Sequence, residues 1–346
     1  MTKETRNPSD NESQHAGATD LDVRHAQGPG RSGFGFFVQR YFRELSVAVA
    51  LLLLLLAMAL FAPAFFKPQP LLSLLTREAP SLVVVCGIAA VIICRQIDIS
   101  VGSQFAVCSV CAGLLAGSGL PMAIVMLMAI GIGATLGGLN GLLVAGLRLP
   151  SIVVTLATMV ILREGLRWAR QGQFVNLPDG FQWLGQTQVG GQVLIIMAAL
   201  LLFALIALGM RYLAAGRFVY AVGSDAEAAR LAGIRPRLTT FLVFTFTGGL
   251  VGLASLMNVV QSPQVDPKSG SGLELKAIAA AVVGGVAVSG GRGNLLGAFL
   301  GLLLLACISP ALTYLQVQAY WEKAIQGTII LLAVVADGLR GRTGTK

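Results

Sequence analysis

The chain has 346 residues, 55% of them apolar and only 12% charged, and a mean hydropathy of +0.77, which excludes an ordinary water-soluble domain. Its net charge of +9 would suggest a nucleic-acid partner in a soluble protein. Here many basic residues sit between apolar runs, where they orient a membrane chain, and no basic patch interleaves with aromatics.

Residues 1–43 are polar and of mixed charge, hold both histidines (His15 and His25) and include a Gly/Pro/Ser-rich stretch from Gly28 to Gly33, so a disordered cytoplasmic tail is expected. More than forty residues precede the first apolar run, unlike a cleaved leader, so the first span is expected to remain. Apolar runs occur at 47–66, 76–95, 103–119, 122–146, 151–169, 192–210, 238–259, 276–289, 294–312 and 324–338. With roughly 20 apolar residues needed per crossing, they predict an all-α polytopic transmembrane bundle of about ten spans, both termini cytoplasmic. Arg40 and Arg43 precede the first span, Arg211, Arg217, Arg230, Arg235 and Arg237 follow the sixth, and Arg340 and Arg342 follow the tenth, all on one side in that topology. Arg95 and Arg148 agree with it, whereas Arg163, Arg167 and Arg170 near the outer end of the fifth run do not.

The eighth run is too short to cross alone and stops at Ser289-Gly290-Gly291-Arg292-Gly293-Asn294. A similar break, Arg95 to Ser103, closes the second. Setting Ser100 on Ser289 also sets Gly102 on Gly291, which suggests an internal repeat with interrupted helices; chance similarity between two short apolar stretches explains the match equally well. Gly133, Gly137 and Gly141, Gly248 and Gly252, and Gly297 and Gly301 recur at four-residue spacing, as close helix packing in lipid requires. The five cysteines lie within apolar runs and read as small apolar side chains, the Cys108/Cys111 pair included. No span carries a His/Asp/Glu/Cys cluster at catalytic or ligand spacing, so no catalytic, metal or cofactor site is expected. Asp98 and Asn140 are the polar residues of most interest, because an intramembrane carboxylate needs a partner; Arg95 is a candidate, and capping of the helix beginning near Ser100 is the structural alternative.

Between the sixth and seventh runs lies Gly223 to Arg237. Ser224 and Glu227 have capping-box spacing, Ala226, Ala228, Ala229, Leu231 and Ala232 favour helix, and Gly233 with Pro236 ends it, predicting a two-turn cytoplasmic helix. On the residues alone, a capped connector that merely joins two spans is slightly favoured over a docking helix.

Glu227-Ala228-Ala229-Arg230-Leu231-Ala232-Gly233 resembles the EAA-x-x-x-G loop of ABC importer permeases, the helix that docks onto the ATP-hydrolysing subunit. Ile97-Asp98-Ile99-Ser100-Val101-Gly102-Ser103, Gly138-Leu139-Asn140-Gly141, Leu149-Pro150-Ser151-Ile152 and Val288-Ser289-Gly290-Gly291-Arg292-Gly293 together resemble permeases of the ribose, xylose, rhamnose and autoinducer-2 importers over residues 70–340. The resemblance implies a permease domain over 44–340 with a coupling helix at 223–236, a short tail at 341–346, and a bacterial inner-membrane location. It also implies a separate ABC ATPase subunit that hydrolyses ATP, a second permease subunit, and a periplasmic sugar-binding protein. Ser224, Glu227, Ala228, Ala229 and Gly233 are the expected coupling residues. Asp98, Ser100, Gly102, Asn140, Ser289 and Gly291 are candidates for the pathway or the helix breaks. The loop from Gln171 to Gln192, with Phe174, Phe181 and Trp183, is a candidate external docking surface or an interfacial anchor. No G-x-x-x-x-G-K-[ST] phosphate loop occurs, so the chain itself is not expected to bind ATP. The expected cargo is a monosaccharide, with the overall look nearest rhamnose-type permeases. A branched-chain amino-acid ABC permease and an ion-coupled secondary transporter are the alternatives, the latter disfavoured by the scarcity of ionisable groups deep in the spans.

Overall fold

The computed structural model describes residues 33–178, 189–318 and 320–343. The chain divides into two units, 1–41 and 42–346, of which the second contains the helix bundle. Phe181, Trp183, both histidines and the last three residues lie outside the described residues.

Helices occupy the place of each of the ten apolar runs. They are α1 (Gly33–Phe61), α2 (Pro68–Ile93), α3 (Val101–Gly117), α4 (Met122–Gly141), α5 (Ser151–Arg170), α6 (Val189–Tyr212), α9 (Pro236–Val259), α10 (Leu273–Val283), α11 (Leu295–Tyr314) and α12 (Trp321–Thr343), with α7 (Ala214–Ser224) and α8 (Ala226–Leu231) between α6 and α9. Six of them are long and apolar enough to cross a membrane alone: α1 from Glu44, α2, α4 extended to Gly146, α6, α9 and α11. α3 has 17 residues and α10 has 11. The last two turns of α5 carry Arg163, Glu164, Arg167 and Arg170. Of the ten expected crossings, six thus correspond to helices long and apolar enough to span alone.

Three local features depart from the sequence reading. α1 begins at Gly33, inside the stretch expected to be a tail. The first span ends at Phe61, before a short 3-10 turn over Pro63–Phe66, since Pro63 withholds a backbone donor. The fold also includes one antiparallel two-residue strand pair, β1 (Val175–Asn176) and β2 (Gln264–Val265), with Val175 opposite Val265. Val175 and Val265 pack on Gly113 of α3, where an added Cβ would meet both side chains at 3.1 Å.

The centre of the bundle is α2, whose residues from Leu82 to Cys94 are nearly all buried. Pro80 lies inside it and cannot donate to the Thr76 carbonyl; Gln261 Nε2 supplies that bond at 3.1 Å. The glycine seams join helices as expected. A Cβ on Gly137 would lie 2.3 Å from the Phe244 carbonyl, and one on Gly248 2.1 Å from that of Gly133, so the backbones of α4 and α9 touch. Gly284 and Gly301 bring α10 and α11 equally close.

Both interrupted helices stop in the same way. Gln96 N–H donates to the Val91 carbonyl and Arg95 N–H to that of Ile92; Val286 N–H donates to Ala281 and Gly285 N–H to Val282. These are paired Schellman ends, with left-handed Arg95 (φ 63°) matched by Gly285 (φ 95°). The equivalence places Arg95 on Gly285, one residue away from the register that sets Ser100 on Ser289.

Gly137→Leu should destabilise the folded chain in detergent by at least about 2 kcal/mol, because backbone cannot yield to the added side chain. Gly131→Leu, on the same helix but with nothing within 4 Å of its Cβ position, should leave the thermal unfolding midpoint unchanged.

Candidate functional site

Two sites emerge, one at each side of the α2 break. The first is a buried polar hub on Ser100, where the chain restarts as α3. The Ser100 hydroxyl donates to Asp98 Oδ1 at 2.5 Å, and the Ser100 N–H donates to the same oxygen at 2.9 Å. Gln104 Nε2 and Asn140 Nδ2 donate to the Ser100 hydroxyl at 2.7 and 2.8 Å. Thr158 Oγ1 of α5 donates to Asn140 Oδ1 at 2.7 Å. Ile97 N–H donates to Ser151 Oγ at 3.2 Å, and Thr155 Oγ1 reaches the Ile97 carbonyl at 3.3 Å. The break thus ties α3, α4 and α5 together, with every lone pair of the Ser100 hydroxyl in use.

Asp98 is 1% exposed. It accepts from Ser100 just ahead of α3 and not from Arg95, and α3 has no side-chain cap bond at its first turn. Arg95 is exposed and instead acts electrostatically on Asp225. Gln104 and Thr158, which the sequence reading passed over, complete the hub; their spacing from Ser100 within α3 and from Ser151 and Val154 within α5 is the signal that was available.

The remaining candidates lie elsewhere. A Cβ on Gly102 would fall 2.0 Å from Glu274 Oε2 and 2.5 Å from the Gly270 carbonyl, so this glycine lets α3 meet the start of α10. Ser289 is exposed at the tip of the second break. Gly291 belongs to the second site, where its N–H donates to the Ile93 carbonyl at 2.8 Å. At the same point a Cβ on Gly223 would lie 1.7 Å from that carbonyl, and one on Gly291 2.6 Å from the Ser224 Cα. Tyr220 Oη donates to the Gly293 carbonyl at 2.9 Å. The end of α7, the end of α2 and the second break therefore meet backbone to backbone.

α8 comes immediately after. Its cap is Asp225, whose side chain accepts from Glu227 N–H at 2.8 Å and Ala228 N–H at 3.0 Å, while Ser224 is the last residue of α7. The expected Ser224–Glu227 capping box is corrected on that ground: Asp competes with Ser at a cap, and the α7 backbone already claims Ser224. Glu227 pairs instead with Arg230, one turn on. A third Schellman end closes α8, with Gly233 (φ 84°) N–H donating to Arg230 and Ile234 N–H to Ala229. Ala229 is buried, while Glu227, Ala228 and Leu231 face outward. The backbone bonds from Ala228 and Glu227 hold the Asp225 carboxyl below its ordinary value. Its cap is accordingly intact above that value and is lost only as pH falls through the lower folded one.

Ionisable groups inside the bundle are more numerous than the sequence reading allowed. Lys276 Nζ sits 2.7 and 2.6 Å from the two oxygens of Glu78. Arg163 Nη2 sits 3.2 Å from Glu274 Oε1. Each pair joins α10 to a neighbour, α2 or α5. Among the described residues no group of three or more His, Cys, Asp and Glu side chains is placed to hold a metal ion.

Ser100→Ala should cost about 3 kcal/mol, since it strips partners from a buried carboxylate and two buried amides at once. Ser118→Ala, whose exposed hydroxyl bonds only the Leu115 carbonyl, should be neutral in the same detergent unfolding assay.

Residues 71–334 match the family described as branched-chain amino acid transport system / permease component. The chain is 36% identical over 297 residues to the autoinducer 2 import system permease protein LsrC of Enterobacter sp. (strain 638), covering 86% of this chain and 87% of that one. It is 36% identical over 300 residues to the protein of that name from Klebsiella pneumoniae, covering 86% of each. It is 30% identical over 311 residues to the ribose import permease protein RbsC of Escherichia coli K12, covering 88% of this chain and 97% of that one. No solved structure matches. The chain belongs to this permease family: it is a multi-pass permease subunit of an ABC transporter in the bacterial inner membrane, and not an enzyme.

Proposed function

We propose that the chain forms the translocation pathway of an ATP-driven importer for a monosaccharide or a related small polar solute, and that α8 couples this pathway to a separate ATPase subunit. The solute class is supported by relatives whose names specify ribose and autoinducer 2 import. Rhamnose joins those two as the solutes to assay first. In this reading all ten helical segments cross the bilayer with both termini cytoplasmic, a second permease subunit completes the pathway, and a periplasmic binding protein delivers the cargo.

One observation carries the coupling role. α8 projects its outward face while α7, immediately before it, is locked through Gly223 and Gly291 to the ends of two interrupted helices. A displacement of α8 by ATPase closure is thereby delivered to both breaks, where the bundle has discrete ends to shift. The residues that would do this are Glu227, Ala228, Ala229 and Gly233, with Asp225 taking over the capping role expected of Ser224. Arg163, Arg167 and Arg170, the charges on the unexpected side, are each held by a partner. Arg163 is paired with Glu274, Arg167 with Glu164 at 2.9 Å, and Arg170 with the Phe174 carbonyl at 3.4 Å.

Gly233→Arg forces a bulky residue into left-handed backbone and should abolish solute-stimulated ATP hydrolysis and uptake in proteoliposomes, with the permease still inserted. Wild-type rates in that variant would overturn the assignment of α8. Uptake that survives ATP depletion but collapses with an uncoupler would overturn the ATP-driven reading.

A further inference from the structure

At the α8 end of the bundle, arginines from three distant segments line one cavity of about 380 Å³: Arg95 after α2, Arg148 after α4 and Arg237 at the start of α9. Its base is apolar, formed by Val144, Ala145 and Val222, each less than a tenth exposed. No carboxylate is among its lining residues. A wider cleft of about 830 Å³ continues from it past Arg148 and Arg237 to Arg230 and Arg235. Of the acids beside it, Glu227 is already paired with Arg230, and Asp225, which feels the Arg95 charge, spends its carboxylate on the α8 cap.

Local backbone chemistry disfavours arginine at all three positions. Arg95 and Arg148 hold left-handed backbone, φ 63° and 58°, where glycine is the inexpensive choice and where the matching end of α10 uses Gly285. A helix C-terminus does favour a cation, but a residue one turn earlier would supply it without strain. Arg237 is the second residue of α9, where a positive charge meets the positive end of the helix dipole. Three disfavoured placements converging on one cavity point to a ligand that repays them, and the ligand must be an anion.

The surroundings specify what kind. Leu149 lines the first cavity and Leu238 the second; with Leu147 and Leu242 they are 43–65% exposed. Arg148 and Arg237 therefore each adjoin a leucine that faces outward, an arrangement suited to an amphiphile and not to a wholly soluble anion. We propose that this cleft holds the phosphate of an anionic phospholipid, its acyl chains lying along Leu147, Leu149, Leu238 and Leu242. Basic recesses between helices at the cytoplasmic face are physically suited to such headgroups. A lipid there would brace the ends of α2 and α4 against the start of α9, beside α8. The assignment does not depend on which solute is carried.

The test is native mass spectrometry on the delipidated full chain, titrated with dioleoyl phosphatidylglycerol, dioleoyl phosphatidylcholine or inorganic phosphate. Phosphatidylglycerol should be retained and phosphatidylcholine not, and the R95G/R148G variant should bind phosphatidylglycerol about tenfold more weakly. Because both changes relieve left-handed backbone, the variant should melt no lower than the parent, which separates lost binding from lost folding. Arg167→Gln, at the opposite end, should bind as the parent does. Equal retention of phosphatidylglycerol by R95G/R148G, or of phosphatidylcholine by the parent, would overturn the proposal. So would full displacement by inorganic phosphate, which marks a soluble-anion site, or loss of ATPase-subunit association in R95G/R148G with lipid binding unchanged, which assigns the arginines to the partner protein.

Discussion

A helix that stops within a bilayer bundle leaves carbonyl and amide groups that lipid cannot satisfy, and each stop must be closed by the protein itself. The fold is organised around two such stops, at the ends of α2 and α10. Each folds its last carbonyls back through a Schellman pair, and the Ile93 carbonyl takes the Gly291 amide from the other break. That bond needs a chain that can approach without side chains, hence glycine at 223, 290 and 291. The restart of α3 needs a different device. Asp98 accepts the amide and hydroxyl of Ser100 just ahead of it, and Ser100 is in turn fixed by amides from α3 and α4.

The helical positions were legible in the sequence because apolar run length is the strongest signal a membrane chain carries. Interior packing through Gly133, Gly137, Gly248 and Gly252 was legible for a similar reason, since four-residue spacing fixes a helix face. Connections between distant segments were not. Nothing local to Glu78 announces Lys276, nearly two hundred residues on, and the sequence understates the intramembrane charges because each charge, taken alone, shows no partner. Ser100 and Asn140 stand out in the sequence, but not as neighbours. The α8 cap is a subtler case: Ser224 and Asp225 are adjacent and both cap well, and the choice between them is made by the length of α7, which tertiary contact with Ile93 and Gly291 sets. Phe181 and Trp183 of the external loop lie among residues 179–188, outside the described residues, and their docking role stays a sequence expectation.

The ion pairs also explain why helices too short or too charged to span alone can stay in the bundle. α10 has 11 residues and carries Glu274 and Lys276 in its first turn. Left in lipid, each charge would oppose insertion by a few kcal/mol. Paired to Arg163 and Glu78, they tie α10 to α5 and α2. A buried pair adds little net stability against an apolar substitute, so its effect is chiefly on register. α10 cannot slide along α2 without parting Lys276 from Glu78.

These contacts divide the bundle into parts of unequal stiffness. α3, α4 and α5 are cross-linked by side-chain hydrogen bonds through Ser100, Asn140, Thr155 and Thr158, all within a buried network where any displacement strands several polar groups together. The junction of α7, α2 and the second break has fewer polar ties, the Gly291–Ile93 backbone bond and the Tyr220 hydroxyl, and is locked mainly by close backbone approach and by the buried Val219 and Val222. On the proposed reading, force applied at α8 enters through this junction. It reaches the α3–α5 block at Asp98, where the chain leaving α2 turns into α3, and also through α9, whose Gly248 touches α4, and through α10, whose Glu274 pairs with Arg163. The polar network at Ser100 lies on the first of these routes, so a shift of the α2 end strains the bonds that Ser100 shares with Asp98, Gln104 and Asn140 together.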